Sequence, residues 1–296
     1  MEENLSELIK TDNATIGTFG TNQKPKPIKS KIIKPKPVFG TKEWADRSEN
    51  CLNGCSHDCK YCYAKSTVLR FRRNAPQNWQ NEILKPDILK KEFRKFKGKI
   101  MFPSAHDITP AHLDDCMTYL KHMLKPGNQV TIVTKPHLDC VKAICQEFGW
   151  YKNKILFRFT IGSSDSTTLK VWEPNAPDFA ERFESLKYAY EMGYQTSVSC
   201  ETMLDDNIGD VINQVSPFVI DSSWLGKMNH LRGRLKHNEE TDPVTIQEAE
   251  QLMECQADEK IEQLYSRYKD NPLIKWKESI KKVVGLEVLT EAGMDV

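Results

Sequence analysis

The run Gly54-Cys55-Ser56-His57-Asp58-Cys59-Lys60-Tyr61-Cys62-Tyr63-Ala64 places three cysteines on one short loop in the spacing C-x3-C-x2-C. Thiolates are soft metal ligands, and three of them so close together, flanked by glycine and tyrosines, read as a metal-binding loop. Cys51, four residues before Cys55, completes a string of four cysteines and keeps zinc in play. Zinc usually takes two ligand pairs separated by a longer loop, and no second C-x2-C or H-x3-H follows downstream. Cys51 itself is expected on a strand leading into the loop, with a redox or alternate-ligand role open to it. His57 and Asp58 are expected to orient the loop through backbone hydrogen bonds.

The chain has 296 residues, 39% of them hydrophobic, which is enough to bury a large core. No run approaches the roughly 18 to 20 apolar residues of a membrane span, and Met1-Glu2-Glu3-Asn4 lacks the basic-then-apolar start of a signal peptide. These features predict a cytoplasmic protein without a membrane partner. Nine cysteines, an odd number without regular pairing, suit a reducing compartment better than a disulfide framework. The net charge of +1 excludes a global attraction to polyanions but hides local asymmetry. Residues 60–99 carry twelve Lys or Arg, among them Lys60, Lys65, Arg70, Arg72, Arg73 and Lys91, against the three acids Glu82, Asp87 and Glu92. With Phe71, Trp79, Phe93 and Phe96 interleaved, that stretch reads either as a solvated face or as a nucleic-acid surface.

Residues 1–45 show no sustained apolar period, and Lys24-Pro25-Lys26-Pro27 recurs as Lys34-Pro35-Lys36-Pro37. Alternating prolines block both helix and central strand, so an extended Lys/Pro-rich arm is expected there. From 46 to 229, short apolar runs alternate with amphipathic ones. Strands are expected in the run into Cys51 and at 99–103, 129–134, 155–161, 195–201 and 218–221. Helices are expected at 63–73, 87–96, 111–124, 138–148, 177–192 and 206–215. Strand then helix, repeated about six times, is the pattern of parallel α/β architecture, whose chemistry sits at the carboxyl ends of the strands. From 230 to 296 a basic knot, His230-Leu231-Arg232-Gly233-Arg234-Leu235-Lys236-His237, precedes one long helical pattern and a run at Val283-Val284-Gly285-Leu286 that reads as a cap or closing strand.

The cysteine loop, with its Cys-Tyr-Cys-Tyr-Ala end, resembles the cluster loop of the radical S-adenosylmethionine (SAM) superfamily. Over residues 40–229, close to two thirds of the chain, the resemblance is to that superfamily's spore photoproduct lyase-like branch. Gly40-Thr41-Lys42-Glu43-Trp44-Ala45 is similar to the lead-in of uncharacterised members, and Met101-Phe102-Pro103-Ser104-Ala105-His106-Asp107-Ile108 to the end of the second barrel strand. Val133-Thr134-Lys135 resembles a strand-end Thr-Lys, and Phe157-Arg158-Phe159-Thr160-Ile161 with Trp172-Glu173-Pro174 and Arg182 resembles the family's strand, Glu-Pro turn and helix arginine.

The resemblance implies an α/β fold, a partial parallel (β/α)6 barrel with an N-terminal arm and a helical C-terminal extension packed on it. It implies a [4Fe-4S] cluster on Cys55, Cys59 and Cys62, with the fourth iron open to SAM, and reductive cleavage to a 5′-deoxyadenosyl radical that abstracts hydrogen from substrate. It marks Tyr61, His106, Lys135, Thr160 and Arg182 as cofactor-binding candidates, with Glu173 and Arg182 either an ion pair or ligand contacts. Ser104 and Tyr61 are the catalytic candidates. Ser104 falls where the lyases carry the cysteine that returns hydrogen to the product radical, a departure that argues against the lyase reaction itself; Cys116, Cys140 and Cys200 are expected in the core unless one of them takes that role. An external flavodoxin- or ferredoxin-type electron donor is implied. The basic 60–99 and 230–237 segments favour a nucleic-acid substrate undergoing base repair or modification. The alternatives are radical modification of a peptide or small metabolite, and a non-catalytic Fe-S or zinc protein that binds nucleic acid.

Overall fold

Side chains alternate in and out along each central strand, and this two-residue period builds two compartments from one sheet. Ile100 and Phe102 of β4 (Lys99–Phe102), Val130 and Ile132 of β5 (Gln129–Thr134), Phe157 and Phe159 of β6 (Ile155–Thr160) and Val198 of β7 (Gln195–Cys200) enter one large apolar core shared with the helices. The intervening positions are more polar: Thr131, Arg158, Ser197 and Ser199 are buried on the other face, beside the small cluster of Met101, Val133 and Trp224. The computed structural model describes residues 36–71 and 78–293.

In chain order the first elements are β1 (Arg47–Ser48), β2 (Leu52–Asn53), α1 (Tyr63–Arg70), β3 (Ile83–Leu84), β4, α2 (Leu113–Leu124), β5, α3 (Leu138–Glu147) and β6. There follow α4 (Ser166–Trp172), α5 (Phe179–Glu191), β7, α6 (Ile208–Val215), β8 (Ser223–Leu225), α7 (Leu231–His237), α8 (Pro243–Cys255), α9 (Asp258–Tyr268), β9 (Ile274–Trp276) and α10 (Glu278–Val284). Seven strands form one parallel sheet in the order β1-β4-β5-β6-β7-β8-β9, while β2 and β3 make a separate antiparallel pair. Sequential parallel pairing curls the sheet into a partial barrel, so the expected α/β architecture stands with seven strands rather than six.

The seventh strand comes from beyond residue 229: β9 pairs in register with β8 and joins the sheet. The gap between the first and last strands is bridged by side chains. Lys277, fully buried just after β9, contacts Glu43 at 2.8 Å and the carbonyl of Gly40 at 2.7 Å, with its ammonium 4.0 Å from the Trp44 ring centre. Glu43, Trp44 and Ala45 are therefore barrel residues and not the end of an arm. The rest of the expected arm, through residue 35, lies outside the described residues.

Several elements differ from expectation. The helix expected at 87–96 is a single 3-10 turn, Ile88–Lys90, followed by extended chain. Asp87 enters it with φ of 55°, and Phe93 and Phe96 pack on the core as a strap, Phe93 edge-on to Tyr119. The strand expected at 218–221 forms later, at β8. Residues 216–218 make a 3-10 turn around Pro217, and the amides of Ile220 and Asp221 both bond to the Thr196 carbonyl. The long C-terminal helical pattern is two helices, α8 and α9, broken at Gln256 and Ala257. Val283 and Val284 end α10, and Gly285 caps it at φ of 73°, so that run is not a strand.

Candidate active site

The cysteine loop is pinned before it turns into α1. Gly54 adopts φ of 88°, and a Cβ there would stand 2.3 Å from the Asn81 carbonyl oxygen, so only glycine fits. The next residue, Cys55, donates its amide to the Trp79 carbonyl at 2.8 Å. Cys62 then caps α1, its sulfur accepting from the Lys65 amide at 3.4 Å. Cys55 and Cys59 are buried and Cys62 half-buried, none is in a disulfide, and all three line one cavity of about 430 Å³ at the carboxyl ends of the strands.

Asp58 makes the expected backbone bond, its amide donating to the Cys55 carbonyl at 3.2 Å, and the side chains of His57 and Asp58 add to it. His57 bonds through Nδ1 to Asp107 Oδ2 at 2.9 Å and through Nε2 to His137 Nε2 at 2.9 Å. Asp58 holds Lys65 at 2.9 Å and Gln80 at 3.0 Å. Asp107 is the centre of the arrangement, since its Oδ1 accepts from the Thr134 hydroxyl at 2.9 Å and from the Lys135 amide at 2.7 Å. Burial works against this carboxylate, but Lys135, His57 and the amide together hold it well below the usual carboxylate range.

A second buried chain of charge lies beside it. Lys135 Nζ stands 3.6 Å from Asp107 and 3.8 Å from Glu173, and Glu173 is paired with Arg182 at 2.6 Å, both fully buried. Burial alone would push the Lys135 pKa down; its acidic neighbours, Asp107 first, raise it well above the ordinary value. Tyr61 donates its hydroxyl to Glu173 and leans on Trp172 with ring centres 6.2 Å apart. Burial pushes the Cys55, Cys59 and Cys62 thiols up, while Lys135 and, at Cys62, the Lys65 amide pull the other way.

Of the residues singled out by sequence, Ser104, Tyr61, His106, Lys135 and Thr160 line the cavity with the three cysteines. Arg182 does not. Its guanidinium is fully buried and bonded to the carbonyls of Pro177 and Thr160 and to Glu173, so it braces the wall, which settles the Glu173–Arg182 question as an ion pair. His106 lines the cavity but is committed elsewhere: Nδ1 bonds the Asp107 carbonyl at 2.8 Å, and Nε2 accepts from the amides of Cys51 and Leu52. Cys51 is fully buried with its sulfur 3.7 Å from that of Cys116, away from the cavity lining. Cys116, Cys140 and Cys200 lie in the apolar core, so none is placed to return hydrogen to a product.

Asp107, Tyr63, Glu201 and Arg234 also line the cavity and were not marked as site residues. The signal for Asp107 was its place at a strand end beside His106. Arg234 belongs to the basic knot at 230–237 and is carried in by α7, whereas nothing local announces Glu201, which follows β7.

A family model described as the radical SAM superfamily matches residues 50–213. The chain belongs to the radical SAM superfamily. Membership implies SAM and a [4Fe-4S] cluster as cofactors, and the donor set fits, since three unpaired cysteines border one cavity large enough for a ligand. The chain is 28% identical over 198 residues to an uncharacterized protein of Methanocaldococcus jannaschii, a match covering 64% of this chain and 73% of that one. Among solved structures, a spore photoproduct lyase variant with bound AdoMet and dinucleoside spore photoproduct aligns with a TM-score of 0.47 at 15% identity, over 72% of this chain and 65% of the lyase. The radical SAM protein SuiB of Streptococcus suis, bound to its precursor peptide SuiA, aligns with a TM-score of 0.48 at 14% identity, over 83% of this chain and half of SuiB. No helix among the described residues is long and apolar enough to cross a membrane.

Proposed function

We propose that this radical SAM enzyme cleaves SAM reductively and uses the resulting 5′-deoxyadenosyl radical to abstract hydrogen from a nucleotide or nucleic-acid substrate. When bound on Cys55, Cys59 and Cys62, a [4Fe-4S] cluster with one open iron supplies the coordination of SAM and the electron for its cleavage. The observation that carries the reading is the convergence of those three cysteines with Lys135 and Thr160 on one cavity at the carboxyl ends of the strands.

The chain's own residues supply placement. Lys135 Nζ stands 3.6 Å from Asp107 and 3.8 Å from Glu173, within ion-pair range but beyond hydrogen-bond length, so its N–H donors can turn to the SAM carboxylate. Tyr61, held by Glu173, offers a fixed ring wall beside the cysteines for the adenine. Ser104 lies in the cavity with its hydroxyl bonded to Asn50 at 2.9 Å. An O–H bond is too strong to quench a carbon radical readily, so Ser104 positions substrate instead of returning hydrogen. Aromatic faces support a nucleotide substrate: Tyr63 and Phe39, 45% and 48% exposed, stand at the cavity where a base can stack. Electrons come from an external flavodoxin- or ferredoxin-type donor.

The test is anaerobic reconstitution with iron and sulfide, then dithionite and SAM, with 5′-deoxyadenosine measured by chromatography. We expect product from the wild type and a loss of at least a hundredfold in Cys55→Ala, Cys59→Ala and Cys62→Ala, on the order of what removing an essential group costs. One zinc per chain with no cleavage would refute the enzyme reading.

A further inference from the structure

We propose that Arg234, delivered to the cavity by α7, seats a phosphate of the substrate, and so assigns the C-terminal region a direct part in substrate binding. This rests on the nucleotide reading above and names the group that reading needs.

The basic knot at 230–237 splits in the structure. Arg232 points to a surface partner, Glu250 at 2.5 Å, whereas Arg234 lines the cavity. Arg234 is half-buried, and among the described residues no carboxylate lies within ion-pair distance of its guanidinium, whose Nη1 reaches Met228 Sδ at 3.9 Å; Glu201, the acidic neighbour whose field acts on it, pairs with Lys277 instead. The other charges on the same cavity are spoken for. Lys227 pairs with Asp258 at 2.8 Å, Glu201 with Lys277 at 3.2 Å, and Lys135 with Asp107 and Glu173. A guanidinium withdrawn from water without a counter-ion is costly, and the cost is offset when an anion arrives. Arginine's planar fork suits a phosphate, which it grips with two parallel N–H bonds.

Three neighbours on the same cavity suggest what accompanies that anion. Tyr63 presents a half-exposed ring and Phe39 another, and Asn229 adds an amide that can donate and accept. An aromatic ring for a base beside a cation for a phosphate is the pairing a nucleotide uses. The basic 60–99 stretch offers less, because much of it is already engaged: Lys60 with Asp242, Lys65 with Asp58, Lys90 with Asp87 and Lys91 with Glu49.

The experiment uses the full chain, reconstituted with an oxidised cluster and saturated with SAM, so that no turnover occurs. SAM is titrated by calorimetry into the wild type, Arg234→Met and Arg234→Lys first, and inorganic phosphate, uridine 5′-monophosphate, uridine and acetate are then titrated into the SAM-saturated proteins. We expect uridine 5′-monophosphate to bind more tightly than uridine or phosphate alone, acetate weakly, Arg234→Met to lose roughly tenfold to a hundredfold, and Arg234→Lys to recover part of that. Equal affinity of all three proteins for phosphate and the nucleotide would overturn the assignment. So would a loss in Arg234→Met confined to SAM, which would give this arginine to the SAM carboxylate, and so would acetate binding as well as phosphate, which would point to a carboxylate substrate. Should reconstitution show no cluster, the same titrations on the purified chain still decide Arg234, so failure of the radical SAM reading is told apart from failure of this one.

Discussion

Cys51 and Cys55 stand four residues apart yet meet different surroundings: Cys51 packs against Cys116 in the core, whereas Cys55 lines the cavity. Cys51→Ala is therefore expected to retain its full iron content after reconstitution, at a stability cost of about 1 kcal/mol for the lost sulfur packing. Iron and sulfide analysis checks it, and a loss matching that of Cys55→Ala would make Cys51 a ligand. Glu49 illustrates a second single-residue effect. Burial raises its pKa, but Lys91, Tyr119 and Arg47, each at 2.6 Å, hold the carboxyl below its ordinary value. A depressed carboxylate contributes stability in full above its unfolded pKa and loses it as pH falls through the folded one. Glu49→Gln should thus cost about 2 kcal/mol near neutrality, and its gap to the wild type should narrow as pH drops below the ordinary carboxylate range. Denaturation midpoints from pH 7 to pH 3 test this, and a gap that widens in acid would contradict it.

At the scale of elements, the cluster loop depends on a neighbour that the sequence does not mark. The carbonyls of Trp79 and Asn81, which lead toward β3, crowd Gly54 so closely that a methyl group cannot be added without moving backbone. With φ also in the left-handed region, Gly54→Ala is expected to cost about 2 kcal/mol or more and to displace Cys55. The measurement is iron uptake alongside thermal unfolding. Normal iron binding by this variant would show that the loop tolerates the shift.

For the whole molecule, the decisive link joins the two ends of the described chain. Lys277 reaches Glu43 and Glu201, the Glu278 amide bonds to Glu43, and Trp44 meets Trp224 edge-on at 5.3 Å, so the open side of the barrel is held by contacts between residues far apart in sequence. A chain ending at Asn271 would lack β9, α10 and this lysine, leaving Glu43 buried without its cation. Unpairing such a group costs about 3 to 5 kcal/mol before any lost apolar burial is counted. We expect the truncated chain to lose cooperative unfolding and its near-ultraviolet dichroism; an unchanged midpoint would show that the last segment is dispensable.

The cysteine spacing, the alternation of strands and helices and the strand-end motifs were legible in the sequence because each depends on residues close together in the chain. From them came the parallel α/β fold, the metal loop and most of the cavity wall. Contacts across the fold decided the rest. Arg182 looks like Arg234 in a sequence, yet one is consumed by Glu173 and the other reaches the cavity with no carboxylate in ion-pair range among the described residues, because charge pairing depends on distance in space. For the same reason β9 was invisible: three residues carry too short a pattern to announce a strand, and only the exposed edge of β8 gives them something to pair with.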